Sequence, residues 1–230
     1  MLLEILEEPT ALHETLDAIA GACKKIASEL AAERLGMLYF TGSGTSYHAA
    51  LASHYLTSSL STRPTNSIPA SEFSSWVRTP SASGNVLIAI SQSGESVDIV
   101  SAIEAARERG MRSVAVTNNP SSPLAKAADF AVLTRAGPEN AVTATKTFVC
   151  CLAAVSLLDL ELIEATGSLA ASPEELVLFA SNWQTRPLLC KKRSQCAKIE
   201  PRCSRSLTWR ILCSSCLVGG PTTRLLWRGP

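Results

Sequence analysis

The chain has no run of about 18 consecutive apolar residues, the length that a bilayer-spanning helix requires. Its richest stretch, Phe148 to Ile163, is interrupted by Ser156, Asp159 and Glu161, so no membrane partner is expected. A positively charged leader is missing too. Glu4, Glu7 and Glu8 stand where a secretory signal would carry Lys or Arg, which points to a cytoplasmic protein. No histidine follows His54, and among the later cysteines Cys213 and Cys216 form one close pair while Cys196 and Cys203 have six residues between them. A structural zinc site needs four ligands at workable spacing, so no metal is expected. The basic residues near the end of the chain are scattered and belong to no recognisable binding fold; no nucleic-acid partner is expected either. Before Met37 there is one long helical pattern and no helix-turn-helix segment.

What is present begins with two loops of one kind. Asn85-Val86-Leu87-Ile88-Ala89-Ile90 is a continuous apolar run, as expected of a parallel strand buried on both faces. Ser91-Gln92-Ser93-Gly94-Glu95-Ser96 follows it, and Ile99, Val100, Ile103 and Ala106 then recur at helical spacing. Ser96 therefore falls near a helix start, where unpaired N–H groups and the positive end of the macrodipole favour an anion. Upstream, the short strand Met37-Leu38-Tyr39-Phe40 leads into Gly42-Ser43-Gly44, and Thr45-Ser46 open a helix through Tyr47, Ala50, Leu51 and His54. Both loops would meet at the carboxyl edge of one sheet, the place where open α/β folds bind ligands. Each cluster alone is also what helix capping requires; two at matching positions favour a ligand. A dinucleotide is excluded because the third glycine of its fingerprint is replaced by Tyr47, and no acidic residue ends the next strand, Asn66-Ser67-Ile68. No cofactor is expected.

With 46% hydrophobic residues in 230, the chain can fill a core of one domain and a little more. Leu12, Leu16, Ile19, Cys23, Ile26 and Leu30 mark a long amphipathic helix with Pro9 near its first turn. Strands are expected near Met37, Asn66, Val86, Ser113 to Val116 and Phe130 to Leu133, alternating with helices, the last from about Thr145 to Thr166 before Gly167. Such alternation means a parallel sheet with helices on both faces, an α/β fold.

The two loops, with Glu139-Asn140-Ala141-Val142-Thr143-Ala144-Thr145-Lys146 downstream, resemble the sugar isomerase (SIS) domain. The likeness is strongest to the first of the two SIS domains in the isomerase half of glucosamine-6-phosphate synthase and its short relatives. Six blocks in order carry it: Glu4 to Pro9, Gly42 to Ala50, Ser91 to Ser96, Val116-Thr117-Asn118, Ala136 to Glu139, and Thr145 to Phe148. The resemblance implies a three-layer αβα sandwich around a five-stranded parallel sheet, of the flavodoxin or Rossmann-like kind. It divides the chain into an N-terminal helical segment (1–36), the phosphosugar-binding domain (37–180) and an irregular tail (181–230). It also implies fructose 6-phosphate or glucosamine 6-phosphate as ligand, with Ser91, Gln92, Ser93 and Ser96 on the phosphate, Thr45 and Ser46 on the sugar, and Val142 lining the pocket. Where the synthase has a serine on the sugar, this chain has Ala144, as short members do. Leu2 stands where the synthase places the nucleophilic cysteine of its glutaminase domain, so ammonia from glutamine is not expected from this chain.

In the family, the acid-base groups come from the second SIS domain, a C-terminal tail and a histidine of a neighbouring subunit. No catalytic residue is therefore assigned, and the resemblance implies binding by an incomplete isomerase or deaminase; a stand-alone sugar-phosphate sensor is the alternative. The family pairs its domains, so a homodimer is expected, with uncovered apolar residues around Val149, Leu152, Val155 and Leu158. His48 and His54 are read as packed or solvent-facing, Glu95 as a first-turn residue facing away, and Lys146 as either a cation for the phosphate or a solvated side chain.

Past Ala180 the chemistry changes. Residues 1–181 carry 11 Lys or Arg and 19 Asp or Glu, and residues 182–230 carry 10 and 1, a swing in net charge from −8 to +9. Five of the eight cysteines and three of the four tryptophans also lie there. A zinc module, a basic nucleic-acid tail and a chain read in the wrong frame are the competing readings, and the genetic code favours the third. When the last base of each codon is taken with the first two of the next, Trp227-Arg228 forces Ala or Glu, and Thr222-Thr223 forces Asp, Asn, His or Tyr. With permitted codons, 217–229 becomes RGRPNYAIAVEG, which resembles the opening of a second SIS domain. A frame change between about Phe179 and Cys190 is the expectation.

Overall fold

In the computed structural model the residues described are 1–33, 35–78 and 84–171. The expected tail, with its shifted-frame reading, lies outside them, as do residues 172–180. Five strands form one sheet: β1 (Leu38–Gly42), β2 (Thr65–Pro69), β3 (Val86–Ile90), β4 (Arg112–Thr117) and β5 (Phe130–Leu133). Their order is β2-β1-β3-β4-β5 and every neighbouring pair is parallel. The apolar runs of β1 and β3 are buried along their whole length, as residues between two helical layers must be. β2, with Thr65, Asn66 and Ser67, takes an edge, where half-exposed polar side chains are tolerated.

Alternate residues feed the two faces. Tyr39, Leu87, Ala89 and Ala115 pack with Phe73, Ile99, Ile103 and Leu124 beneath α3 (Ala70–Trp76), α4 (Val97–Glu108) and α5 (Pro123–Ala127). The opposite face is covered by α1 (Leu2–Ala32), α2 (Thr45–Leu60) and α6 (Lys146–Thr166). The three-layer α/β expectation and its five parallel strands are met. Met1–Ala170 forms one compact unit, and among the described residues no helix is long and apolar enough to cross a membrane.

Two expectations are corrected. Helix α1 does not start at Pro9 but at Leu2, with Pro9 inside it. The extra turns are held by tertiary bonds: Glu4 accepts from the backbone N–H groups of Asn140 and Ala141, and Glu7 pairs with Lys146. The apolar face of α6 is not left bare either. Val155 and Leu158 are fully buried and Val149 and Leu152 half-buried, because α6 lies between α1 and α2 in its layer. As expected, α6 ends at Gly167, whose left-handed conformation (φ 60°) caps it.

The chain leaves β1 to one side for β2, then returns to the other side for β3. The crevice between the carboxyl ends of β1 and β3 is therefore a topological switch point. Gly42 and Ile90 pair in register there, so the two loops begin side by side.

Candidate functional site

The first loop turns tightly because glycine permits it. A Cβ on Gly42 would lie 2.7 Å from the carbonyl carbon of Ser46, so only hydrogen there lets the first turn of α2 fold back on the strand end. Gly44 is the N-cap residue of α2, and no side chain caps that helix. The N–H groups of Ser46 and Tyr47 donate to the carbonyls of Ser43 and Gly44 (both 3.1 Å). The hydroxyls of Thr45 and Ser46 engage nothing among the described residues.

The second loop is braced from within and from β4. Ser91 continues the β-ladder by donating its N–H to the Val116 carbonyl (3.0 Å), and its hydroxyl accepts from the N–H of Gly94 (3.1 Å). The Gln92 carbonyl accepts from the Asn118 N–H (3.0 Å) and the Thr117 hydroxyl (3.1 Å). Gly94 has φ +67° and accepts from the N–H of Leu124 (3.1 Å). Ser96 is the N-cap residue of α4, yet its side chain makes no capping bond. Two helices thus point N-termini at one crevice with no side-chain cap between them. The hydroxyls of Thr45, Ser46 and Ser96 at these helix starts are donors without an acceptor among the described residues.

The third wall is the segment between β5 and α6. The carboxylate of Glu139 accepts from the N–H and hydroxyl of Thr145 (2.9 and 2.7 Å) and from the hydroxyl of Thr147. Burial pushes its pKa up, but the bonds from Thr147 and Thr145 outweigh this and hold it below the usual carboxylate range. Thr45, Ser46, Gln92, Ala144, Thr147, Phe148 and Cys151 line an open cleft of about 210 Å³. The Cys151 thiol is pushed up to about 12 by burial, with Cys150 and Glu139 adding to it, so it is no nucleophile near neutral pH.

The chain matches the SIS domain family over residues 33–160, more than half its length. It belongs to the SIS domain family. Over 168 residues it is 41% identical to the isomerizing glutamine–fructose-6-phosphate aminotransferase of Aeropyrum pernix, a match covering 73% of this chain and 26% of that one. It spans about a quarter of the length of the curated relatives it matches. The C-terminal domain of glucosamine-fructose-6-phosphate aminotransferase from Francisella tularensis shares the fold, with TM-score 0.69 and 24% identity over 87% of this chain and 56% of that one. So does the Vibrio vulnificus NanR protein complexed with ManNAc-6P (TM-score 0.61, 19% identity, 72% of this chain and 62% of that one).

Of the residues singled out from the sequence, this SIS domain brings Thr45, Ser46 and Gln92 onto the cleft wall. Ser93 and Ser96 are half-buried on the same turn; the Ser93 hydroxyl accepts only a long bond from the Glu95 N–H (3.4 Å) and keeps its proton to donate. Ser91 is buried and spends its acceptor inside the loop. Val142 is fully exposed and does not line the cleft, whereas Ala144 does. Lys146 is neither solvated nor aimed at the loops: it is 4% exposed, with its ammonium 2.5 Å from Glu7. His54 packs with its Nδ1 2.7 Å from the Thr65 hydroxyl, His48 is exposed, and Glu95 is exposed as expected. Sequence reasoning missed Thr147, Phe148 and Cys151 as lining residues. The only signal was their i, i+1, i+4 spacing on α6, which reads equally well as core.

Proposed function

We propose that this SIS domain binds a hexose 6-phosphate, fructose 6-phosphate or glucosamine 6-phosphate, in the crevice between β1 and β3, and that the chain as it stands does not turn it over. One observation carries the reading: α2 and α4 both begin at that crevice without a side-chain cap, and the hydroxyls of Thr45, Ser46 and Ser96 are uncommitted. A phosphate dianion supplies acceptors for these donors, and hydrogen bonds to a charged group are the strong ones. Ser93 and Ser96 hold the phosphate and Thr45 and Ser46 the sugar. A solved relative of this fold that carries ManNAc-6P supports a phosphosugar ligand.

Aldose-ketose isomerisation needs a base that moves a proton between C1 and C2 near its working pKa. The cleft wall offers Thr, Ser, Gln, Ala, Phe and a thiol at about 12. The carboxylate of the third wall, Glu139, is engaged by Thr145 and Thr147. The protein works as a homodimer in this reading, because apolar side chains at the start of α1 are left exposed.

Titration calorimetry with fructose 6-phosphate and glucosamine 6-phosphate tests the proposal. Weak binding of both is expected, and Ser93→Ala should weaken each by about ten-fold, the worth of one hydrogen bond to a charged group. Undiminished binding by that variant, or isomerase or deaminase turnover above background, would overturn it.

A further inference from the structure

The third wall of the cleft has no regular secondary structure between β5 and α6, so something other than a backbone ladder must fix it. Side chains do. Asn118 donates its Nδ2–H to the Gly137 carbonyl (3.0 Å), and Glu139 gathers Thr145 and Thr147. Others come from α1, where the Thr15 hydroxyl accepts from the N–H of Arg135 (2.9 Å). Oε1 of Glu4 accepts from the consecutive N–H groups of Asn140 (2.6 Å) and Ala141 (3.1 Å), and Glu7 pairs with Lys146 at the first residue of α6. Glu4 is 7% exposed although its helical neighbours Leu3 and Ile5 are 74% and 41% exposed. A buried carboxylate with two adjacent backbone donors is a charge-assisted clamp, not a solvated helix face. The α-amino group of Met1 and the N–H groups of Asn140 and Ala141 hold its pKa down to about 2, so it stays ionised.

We propose that Glu4 is a positioning residue for the cleft: from the first turn of α1 it clamps the backbone at Asn140 and Ala141 and so sets where Ala144, three residues further on, meets Thr45 and Ser46. The proposal rests on the reading of the cleft as a phosphosugar site. It gives a function to the Glu4 to Pro9 block, none of whose residues lines that cleft. It also explains why α1 extends two turns beyond Pro9. The clamp needs an acceptor of the right length, and the charge strengthens it. Gln at position 4 keeps the acceptor; Asp is one methylene short; Ala removes it.

The test uses the full chain with two readouts: calorimetry with fructose 6-phosphate, and amide hydrogen exchange at Asn140 and Ala141 without ligand. Glu4→Ala is expected to lose exchange protection at both amides and to bind about ten-fold more weakly, the size of one lost charge-assisted bond. Glu4→Gln keeps the acceptor without the charge and should fall between the wild type and Glu4→Ala in both readouts. Where Glu4→Ala fails to fold by circular dichroism, Glu4→Asp is measured in its place and should show the same losses. Unchanged protection in Glu4→Ala or Glu4→Asp, or lost protection with unchanged affinity, overturns the proposal. If Glu4→Gln falls as far as Glu4→Ala, the clamp is not an acceptor and the proposal fails. If the wild type binds no sugar phosphate, the phosphosugar reading fails. Loss of protection then still supports the clamp itself.

Discussion

A methyl group at position 94 is enough to disturb the loop of residues 91–96. Gly94 has φ +67°, and a Cβ there would lie 2.4 Å from the Ser122 hydroxyl oxygen, which caps α5 by accepting from Ala125. Gly94→Ala should cost about 1–2 kcal/mol in left-handed strain and about 1 kcal/mol more from the displaced cap, and it should weaken fructose 6-phosphate binding as well. Gly110→Ala is the control: its φ is +72°, but nothing lies within 4 Å of the added carbon, so only the strain is felt. Denaturant unfolding of both variants measures the difference. Asp159 on α6 is a different kind of single-residue liability. It is fully buried beside the hydroxyls of Ser53 and Thr57. Burial pushes its pKa well above the usual value, against the opposing effect of hydrogen bonding from Ser53 and Thr57. The native protein therefore keeps a proton that the unfolded chain releases above about pH 4. Stability should fall as pH rises through that window, by about 1.4 kcal/mol per pH unit for one proton, until the folded group ionises. Asp159→Asn should flatten that slope and be more stable than wild type at pH 8, as measured by urea unfolding across pH.

Helix α1 separates what local sequence dictates from what only the fold decides. The continuous apolar runs of β1, β3 and β4 could be read directly because burial on both faces leaves no other pattern. The end of α6 was equally plain, since Gly167 takes a left-handed cap that few other residues accept. The two Ser/Thr loops were legible because each follows such a strand and opens such a helix. The first two turns of α1 were not. Locally, Pro9 signals a helix start, and the bonds that overrule it join Glu4 to residues more than 130 positions away. The α6 side of the cleft was hidden for the same reason: Thr147, Phe148 and Cys151 become lining residues only once α6 packs beside α2. Pro9 inside a helix lacks the N–H that would bond to the Ile5 carbonyl, and its ring crowds that carbonyl. Pro9→Ala should therefore stabilise the protein by about 1–2 kcal/mol after the unfolded-state entropy it restores is subtracted. A destabilised variant in chemical denaturation would place the true helix start at Pro9.

At the scale of the whole molecule, the apolar surface to be covered is not where the sequence placed it. Val155 and Leu158 are buried, whereas Leu2, Leu3 and Leu6 at the start of α1 are 70%, 74% and 67% exposed and Val142 is fully exposed. Each leucine covered by a neighbour contributes up to about 1.5–3 kcal/mol, enough for several together to hold two chains at micromolar concentration. The chain is expected to form dimers or larger assemblies in static light scattering, and Leu3→Glu with Leu6→Glu, one helical turn apart, should return it to a monomer. The cleft gives this a functional consequence. The cleft is open to solvent on one side. Val142 lies two residues from Ala144 on the loop that forms one of its walls. A second chain seated over Val142 and the start of α1 would press on that loop and cover part of the sugar. Association and ligand affinity are then linked, and each must strengthen the other by the same factor. Binding of fructose 6-phosphate should tighten as protein concentration is raised through the assembly range, and the double glutamate variant should bind with the weak, concentration-independent affinity of the monomer. A wild-type affinity that stays constant while light scattering records assembly would show that the neighbour covers the helix and leaves the cleft untouched.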